Sequence, residues 1–465
     1  MRLSAPVKPP ALSIAVPLLL FAAYGGYSLP GLLGDWGGSL VAVPMLIGWA
    51  VVVGVPILLF VRQRPGAAVV AAVIGAVAVR ACLALAVSGR VPSGDAAIYP
   101  ILARHLIEGR GLEVFEPFMG VDTRALFPPL YPLVLAGWSA LFGASTGAVS
   151  ALNLVIDGGC AVMIVTLGRL LDRRRAGLGA AWLYLMWPSV LLSSPLAQKE
   201  GLCALLAVAL AVRWVRYVQA PRAAIAQAAT IGVLAGLLAL TQPGELPLAA
   251  LFGLVALGSG ARRLAVIVAV GIPTAAAVML PWWTRNADIF GSFVPLTSAG
   301  GYGLWVGNNP DANGHWMPPP RALYGLPELA FGKAAAQIAV AWIAAHPLDF
   351  IKVTIEKALR AWGIAEFGAS RLAMMQPAVS AGIVAGAFAL SQIAHFAMLG
   401  TAAVATRRRR SPGATILLTL VLACLIQTLC FGAFFEFGER HRDFATPFLL
   451  LLALAWTIRD APIAA

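Results

Sequence analysis

The chain has 465 residues, of which 60% are apolar and only 11% charged, and its mean hydropathy is +0.85. A soluble domain is about a quarter charged and keeps a polar skin, so a soluble enzyme, a disordered chain and a nucleic-acid-binding domain are excluded. The net charge of +13 is no nucleic-acid signal, because many of the 33 Lys and Arg residues sit in short clusters between apolar runs, the pattern of cytoplasmic loops.

What remains is an all-α, polytopic bundle of transmembrane helices. The apolar runs are continuous and do not alternate, which excludes a membrane β-barrel. A helical span takes about 20 apolar residues. Runs that qualify, some short or proline-broken, lie at roughly 11–33, 41–61, 66–89, 127–145, 148–168, 177–193, 202–219, 223–241, 245–259, 264–283, 378–404, 413–434 and 444–458. About 11–13 spans are therefore expected. The run that follows Met1–Pro10 leads into a second one with no A-x-A site, so no cleavable signal is expected. Cys82, Cys160, Cys203, Cys424 and Cys430 lie in apolar runs without CxxC spacing and read as buried small apolar residues.

Basic loops set the sides. Arg62 and Arg64 place one loop in the cytoplasm, which puts segment 90–126 outside. Arg407–Arg410 place another inside, which puts the long segment 284–377 outside. Strict alternation then leaves Arg173–Arg175 on the wrong side. Either a segment within 127–200 is re-entrant, or that cluster breaks the rule. Within the external segments, Ala97–Ile107 and His346–Arg360 read as amphipathic helices on the membrane surface. The second is expected to carry Lys352, Glu356, Lys357 and Arg360 on its polar side. The expected organisation is an N-terminal helix pair (1–65), a core (66–310) with its first external loop at 90–126, the external segment 284–377, and C-terminal helices (378–465).

Polar residues in such a chain call for a reason. Asp95, in Ser93-Gly94-Asp95-Ala96-Ala97-Ile98-Tyr99, follows an outward span; an ionisable group at the boundary reads as functional, or as a helix N-cap. Arg124 precedes Pro128-Pro129-Leu130-Tyr131-Pro132 and is a cation on the outer side, open to an anionic ligand or to a lipid headgroup. Lys199 and Glu200 are adjacent, so on a helix they point about 100° apart; one could face a cavity and the other a neighbouring helix, or the pair forms a simple interfacial turn. Arg285 and Asn286 follow the interfacial pair Trp282-Trp283. Gly300-Gly301-Tyr302-Gly303-Leu304-Trp305-Val306-Gly307-Asn308-Asn309-Pro310 mixes glycines, aromatics and amides, as a loop closing over a polar ligand would. It lacks the Gly-Lys-Ser/Thr of a P-loop. Arg440 and Arg442 flank His441 at the outer end of the penultimate span; they could hold a phosphate or simply pair with Glu439 and Asp443.

Taken in order, these strings resemble the GT-C superfamily of membrane glycosyltransferases, nearest the family-39 or protein-mannosyltransferase-like group. They are Gly94-Asp95 with Tyr99, Pro128–Pro132, the basic turn 170–176, Lys199-Glu200, Pro281–Asn286, Phe290–Pro295 and Gly300–Pro310, so the resemblance covers residues 70 to 310 or so. It implies an all-helical bundle with a catalytic aspartate in the first external loop, a polyprenyl-phosphate sugar as donor, and inversion at the anomeric carbon. Two departures stand out. Asp95 is followed by Ala96 where many members pair two acids, which weakens the case for a tightly bound divalent cation. Thr241-Gln242-Pro243 stands where relatives often show Thr-Arg-Pro.

The expected activity is an integral-membrane glycosyltransferase of the plasma (inner) membrane, with its active site on the external or periplasmic side and no nucleotide required. Asp95 is the expected general base on an acceptor hydroxyl of a glycan, lipid or protein. Arg285, Lys199, Arg440, Arg442 and Arg124 are the expected phosphate-holding cations. Tyr99, Glu200, Asn286, Tyr302, Trp305, Asn308 and His441 are the expected substrate contacts. A lipid-linked substrate transporter or flippase, or a polysaccharide polymerase or ligase, are the alternatives. The transporter is disfavoured because the polar residues crowd one side and no repeat is visible.

Overall fold

The computed structural model describes residues 11–36, 42–62, 64–222, 224–257, 260–313, 315–407, 411–436 and 438–457. Of the basic cluster Arg407–Arg410, the last three residues lie outside the described residues.

The helices run in chain order as α1 (Leu12–Trp36), α2 (Ala42–Val61), α3 (Pro65–Ala86), α4 (Asp95–Ile107), α5 (Leu130–Phe142), α6 (Thr146–Leu170), α7 (Arg174–Leu185), α8 (Pro188–Ser193), α9 (Glu200–Gln219) and α10 (Ile225–Thr241). Then follow α11 (Leu246–Leu251), α12 (Ala261–Val266), α13 (Ile272–Phe290), α14 (Gly300–Gly307), α15 (Glu328–Ala345), α16 (Pro347–Gly363), α17 (Phe367–Ala373), α18 (Ala381–Ala405), α19 (Pro412–Phe434) and α20 (Thr446–Thr457). A π turn at Ile267–Gly271 joins α12 and α13 into one rod. Strands β1 (Val114–Glu116) and β2 (Val121–Thr123) form an antiparallel hairpin with Val114 opposite Thr123.

The expected polytopic helical bundle is what the chain forms, and the protein is a multi-pass membrane protein. Nine helices among the described residues are long and apolar enough to cross a bilayer. Eight of the predicted spans are among them. The other predicted runs are shorter: 127–145 becomes the 13-residue α5, and 177–193 breaks at Trp187-Pro188 into α7 and α8. Pro188 lacks the N–H that would continue α7. A 12-residue helix rises only about 18 Å, against a hydrocarbon core of about 30 Å. The span count therefore loses members in the region where alternation and the basic rule conflicted. The ninth long helix is α15, which the sequence reading placed inside the second external segment.

Packing follows the apolar pattern. Phe448, Leu449, Leu450, Leu451 and Leu452 of α20 are all nearly inaccessible, so this helix is buried on every side between α7 and α18. By contrast α2 and α3 leave Val43, Ile47, Val51, Val55, Val69, Val73 and Val77 exposed, a surface suited to lipid. Cys82 and Cys430 are also exposed, contrary to the buried role expected of every cysteine.

The two segments expected outside are joined to each other. Val91 and Gln376 exchange backbone hydrogen bonds of 2.7 and 2.9 Å. The Glu328 carboxylate accepts from the backbone N–H groups of Arg124 (2.6 Å) and Ala125 (2.9 Å). At the hairpin turn, Gly120 has φ +73 and the Tyr324 ring fills the place of a Cβ, so only glycine fits. The helix α4 buries Ala96, Tyr99, Leu102 and Ala103 and packs on α5, a protein neighbour where the amphipathic pattern led to an expectation of the membrane surface. α16 differs from expectation. Leu348, Ile351 and Ile355 face out, whereas Lys357, expected on the polar surface, is 0% exposed. Its amine instead donates to the carbonyls of Gly307 (2.8 Å), Ala433 (3.3 Å) and Phe435 (3.4 Å). The freed carbonyls at the ends of α14 and α19 need donors, and Lys357 supplies them.

Candidate active site

The site is built at the start of α4. Gly94 occupies the N-cap position with φ 60 and ψ −145, a conformation open to glycine. Asp95 is therefore the first helical residue and not the cap, and its side chain is turned to other work. Asp95 Oδ2 accepts a 2.7 Å hydrogen bond from Arg440 Nη1, while Arg440 Nη2 donates to Glu436 Oε1 at 3.1 Å. The Asp95 and Arg440 side chains are 22% and 18% exposed, so this is a sheltered pair that solvent still reaches.

Two further cations face Asp95, Lys199 and Arg371. A Cβ on Gly94 would lie 3.2 Å from Arg371 Nη1, which fixes that guanidinium beside the start of α4. Among the described residues, neither Lys199 nor Arg371 has a carboxylate within ion-pairing distance. Burial alone would raise the Asp95 pKa, but Arg440, Lys199 and Arg371 outweigh it and hold it at about 2. The carboxylate is thus ionised at any working pH. On Arg440, burial acts to lower the pKa, and Glu436, Asp95 and Glu200 reverse it, leaving the group firmly charged.

Behind this pair, Lys199, Glu200, Cys203, Gln242, Glu245, Arg440, His441 and Phe444 line one cavity. His441 is held neutral, because burial and the charges of Arg440 and Lys199 all depress its pKa. Its Nδ1 lies 3.3 Å from Gln242 Nε2, so the glutamine that replaces the expected arginine serves as a partner to the imidazole. Tyr99 lies one turn after Asp95 on the same face. It is fully buried, with its ring edge-on to Tyr131 at 4.9 Å and its hydroxyl unpartnered.

Of the residues expected in the site, the fold therefore brings together Asp95, Tyr99, Lys199, Glu200, Arg440 and His441. It places the others elsewhere. Arg442 is 2% exposed and its guanidinium is spent on Glu439 (3.3 Å), the carbonyls of Ala361 and Ile364, and the face of Trp362. It braces the interior of the bundle. Its neighbour Arg440 goes the other way, because a tight 3-10 turn at Glu439–Ala445 sends successive side chains in different directions.

Arg285 donates to Asn286 Oδ1 (2.9 Å) and the Leu112 carbonyl (3.3 Å) and lies over the Trp282 ring. Arg124 pairs with Glu113 at 2.8 Å. These two cations belong to the hairpin side of the segment, and among the described residues neither pairs with Asp95. Tyr302 and Trp305 stack on each other at 6.0 Å and are 6% and 7% exposed, packed with Phe118 and Phe331. They form a small core, not an open lid. Asn286 and Asn308 are fully buried and hold backbone carbonyls: Val294 for the first, Leu304 and Phe434 for the second.

Two site groups escaped the sequence reading. Arg371 lies in a stretch with no motif, and only the fold carries it to Gly94. Glu116, on β1, is 3% exposed with Oε2 unpartnered. Burial and then the charge of Asp95 push its pKa up to about 7. An acid flanked by Phe115, Pro117 and Phe118 was the available signal for it.

No three His, Cys, Asp or Glu side chains gather as metal ligands among the described residues. Asp95 already faces three cations, which would repel a divalent ion. The residues present do not fit a tightly held divalent cation.

No protein-family model and no curated protein match this chain. Among solved structures, the Archaeoglobus fulgidus oligosaccharyltransferase tethered with an acceptor peptide is similar at 15% identity and a TM-score of 0.46, over 82% of this chain and 49% of that one. The chain thus spans about half the length of that protein. ArnT from Cupriavidus metallidurans, bound to undecaprenyl phosphate, is similar at 14% identity and a TM-score of 0.41, over 83% of this chain and 77% of that one. Fold likeness leaves the chemistry to be argued from the side chains of this chain.

Proposed function

We propose that the protein is a membrane glycosyltransferase that moves a sugar from a polyprenyl-phosphate donor to an acceptor hydroxyl, on the non-cytoplasmic side of the plasma membrane. The observation that carries this reading is the ionised Asp95 carboxylate, bonded to Arg440 and flanked by Lys199 and Arg371, two cations without ion-pair partners among the described residues.

The phosphate of the donor binds Lys199, Arg371 and Arg440. Its arrival draws Arg440 away from Asp95. This matters because a carboxylate held near pKa 2 is a weak base, and general bases work best with a pKa closer to the operating pH. With part of the Arg440 interaction transferred to phosphate, the Asp95 pKa rises and its oxygen is free to accept the acceptor O–H. The acceptor oxygen then attacks the anomeric carbon. The bond from that carbon to the phosphate oxygen breaks, and its electron pair leaves with polyprenyl phosphate. One displacement inverts the anomeric centre. The cations are in place before the leaving charge develops, so they stabilise it without reorganisation. Glu200 orients Lys199, and Tyr99 walls the aspartate from the core.

The donor's energy is in its phosphate ester, so the reaction needs no nucleotide. The test is purified protein in detergent with undecaprenyl-phosphate hexose, N-acetylhexosamine and pentose donors and an envelope-lipid and glycan extract as acceptor. Release of undecaprenyl phosphate that depends on acceptor is the expected result. Movement of intact donor across a vesicle membrane, with no release in any combination, would overturn the reading in favour of a flippase.

A further inference from the structure

The chain breaks between α16 and α17 inside the bundle. Ile364 leaves the helix with φ −111 and ψ 140, and residues 361–365 are all buried. Such a break strands the last carbonyls of one helix and the first N–H groups of the next. Three side chains from other elements take up several of them. Gln392, 0% exposed on α18, donates from Nε2 to the Gly363 carbonyl and accepts at Oε1 from the Ala365 N–H, both at 2.8 Å. Glu439 Oε2 accepts from the Phe367 N–H at 2.5 Å. Arg442 donates to the carbonyl of Ala361 and, at 3.0 Å, to that of Ile364. A helix continued through 364–366 would satisfy these groups without any side chain, so the three serve the break itself. The break turns the chain from α16, which packs on α1 and α19, into α17, which packs on α8 and α18.

Arg371 rides on α17. Its guanidinium lies 4.9 Å over the ring of Phe367, the residue whose N–H Glu439 holds, and its Nη1 reaches the start of α4 beside Gly94. Arg440, next in the chain to Glu439, bonds Asp95 at 2.7 Å. One 3-10 turn thus fastens both cations. We propose that Gln392 and Glu439 are positioning residues, which hold the break at 364–366 so that Arg371 stands beside Asp95 at a set spacing from Arg440. Both act through the backbone of 363–367. The inference rests on the reading that Arg371 and Arg440 bind a phosphate group.

The test is a double-mutant cycle on the full-length protein in detergent, with Gln392→Met, Arg371→Leu and the two together. Titration with undecaprenyl phosphate and with inorganic pyrophosphate gives the affinity, and thermal unfolding is read beside it. Arg371→Leu alone is expected to lower affinity about 10-fold, and Gln392→Met alone about 3- to 10-fold. The double variant is expected to bind no more weakly than Arg371→Leu, because there is no longer a cation to misplace. A merely structural glutamine lowers the unfolding temperature equally in both backgrounds and leaves the two affinity losses to multiply. Multiplied losses, or unchanged affinity in Gln392→Met, overturn the proposal. Should Gln392→Met not fold, Gln392→Glu, which still accepts from the Ala365 N–H, takes its place in the cycle. Glu439→Ala is expected to follow the same pattern, and Glu439→Gln, which keeps an acceptor for the Phe367 N–H, to restore affinity; equal loss in both would remove Glu439 from the assignment. Coupled losses in a protein that releases no undecaprenyl phosphate from any donor sink the transferase reading alone. Failure of the wild-type protein to bind either probe overturns both.

Discussion

Replacing Asp95 with Asn separates the chemistry of the site from its architecture. The side chain keeps its shape and loses its charge and its basicity. Arg440 keeps Glu436 as a partner at 3.1 Å, so the guanidinium is not left bare. The effect on stability follows from the pKa. The carboxyl falls from 3.8 to about 2 in the folded protein, which corresponds to about 2 kcal/mol of stability. The folded value is the lower one, so this stabilisation is present above the unfolded value of 3.8 and is lost as pH falls towards 2. At neutral pH, Asp95→Asn should therefore lower stability by at most about 2 kcal/mol, and solvent access to the pair reduces that further. Donor binding should hold or tighten, because Arg440 no longer competes between aspartate and phosphate. The chemical step should fall about 10²- to 10⁴-fold, the usual contribution of a general base. The assay is single-turnover release of undecaprenyl phosphate, run beside donor binding and thermal unfolding in the same detergent. A variant that retains the wild-type rate within threefold would refute the assignment of Asp95 as base.

Arg371→Leu should weaken undecaprenyl phosphate binding about 10-fold or more while leaving stability near wild type, since the removed guanidinium is half-buried beside Gly94 and, among the described residues, forms no ion pair; isothermal titration at two salt concentrations checks it. Lys357 is held by burial at a pKa of about 8, against 10.5 ordinarily. The charged form is the one disfavoured in the folded state, so the penalty is full below pH 8 and disappears as pH rises to 10.5. Wild-type stability should thus gain up to about 3 kcal/mol across that window, and Lys357→Met should abolish the gain in unfolding measured from pH 7 to 10.5. Gly301→Ala should destabilise the protein by about 1–3 kcal/mol, because its Cβ would meet the Gly332 backbone where α14 and α15 touch; unchanged thermal unfolding would show that this contact is not tight.

The sequence by itself determined the class of the molecule. Continuous apolar runs in a chain with few charges can be satisfied only by helices in lipid, because each run must close its own backbone hydrogen bonds there. It also marked Asp95, Lys199, Glu200 and Arg440 as residues that needed a reason, since a charge in such a chain is expensive wherever it sits. Tertiary structure decided which of those charges meet. Arg440 and Arg442 are two residues apart and chemically identical, yet one faces Asp95 and the other is consumed by Glu439 and backbone carbonyls. Nothing in their local sequence distinguishes them, because a side chain's direction in a 3-10 turn depends on what the turn packs against. The same holds for Arg371, 276 residues away from Asp95 along the chain and beside it in space. Its partner is set by the docking of α17 against α8 and α18, and contacts of that range leave no periodic trace in a sequence. Tyr302 and Trp305 show the converse. Glycines, amides and aromatics in one string suggested an open loop, but the aromatic surface they carry is worth more buried against Phe118 and Phe331 than exposed. Composition sets the solvent a chain must live in; only the packed bundle sets which of its few charges share one pocket.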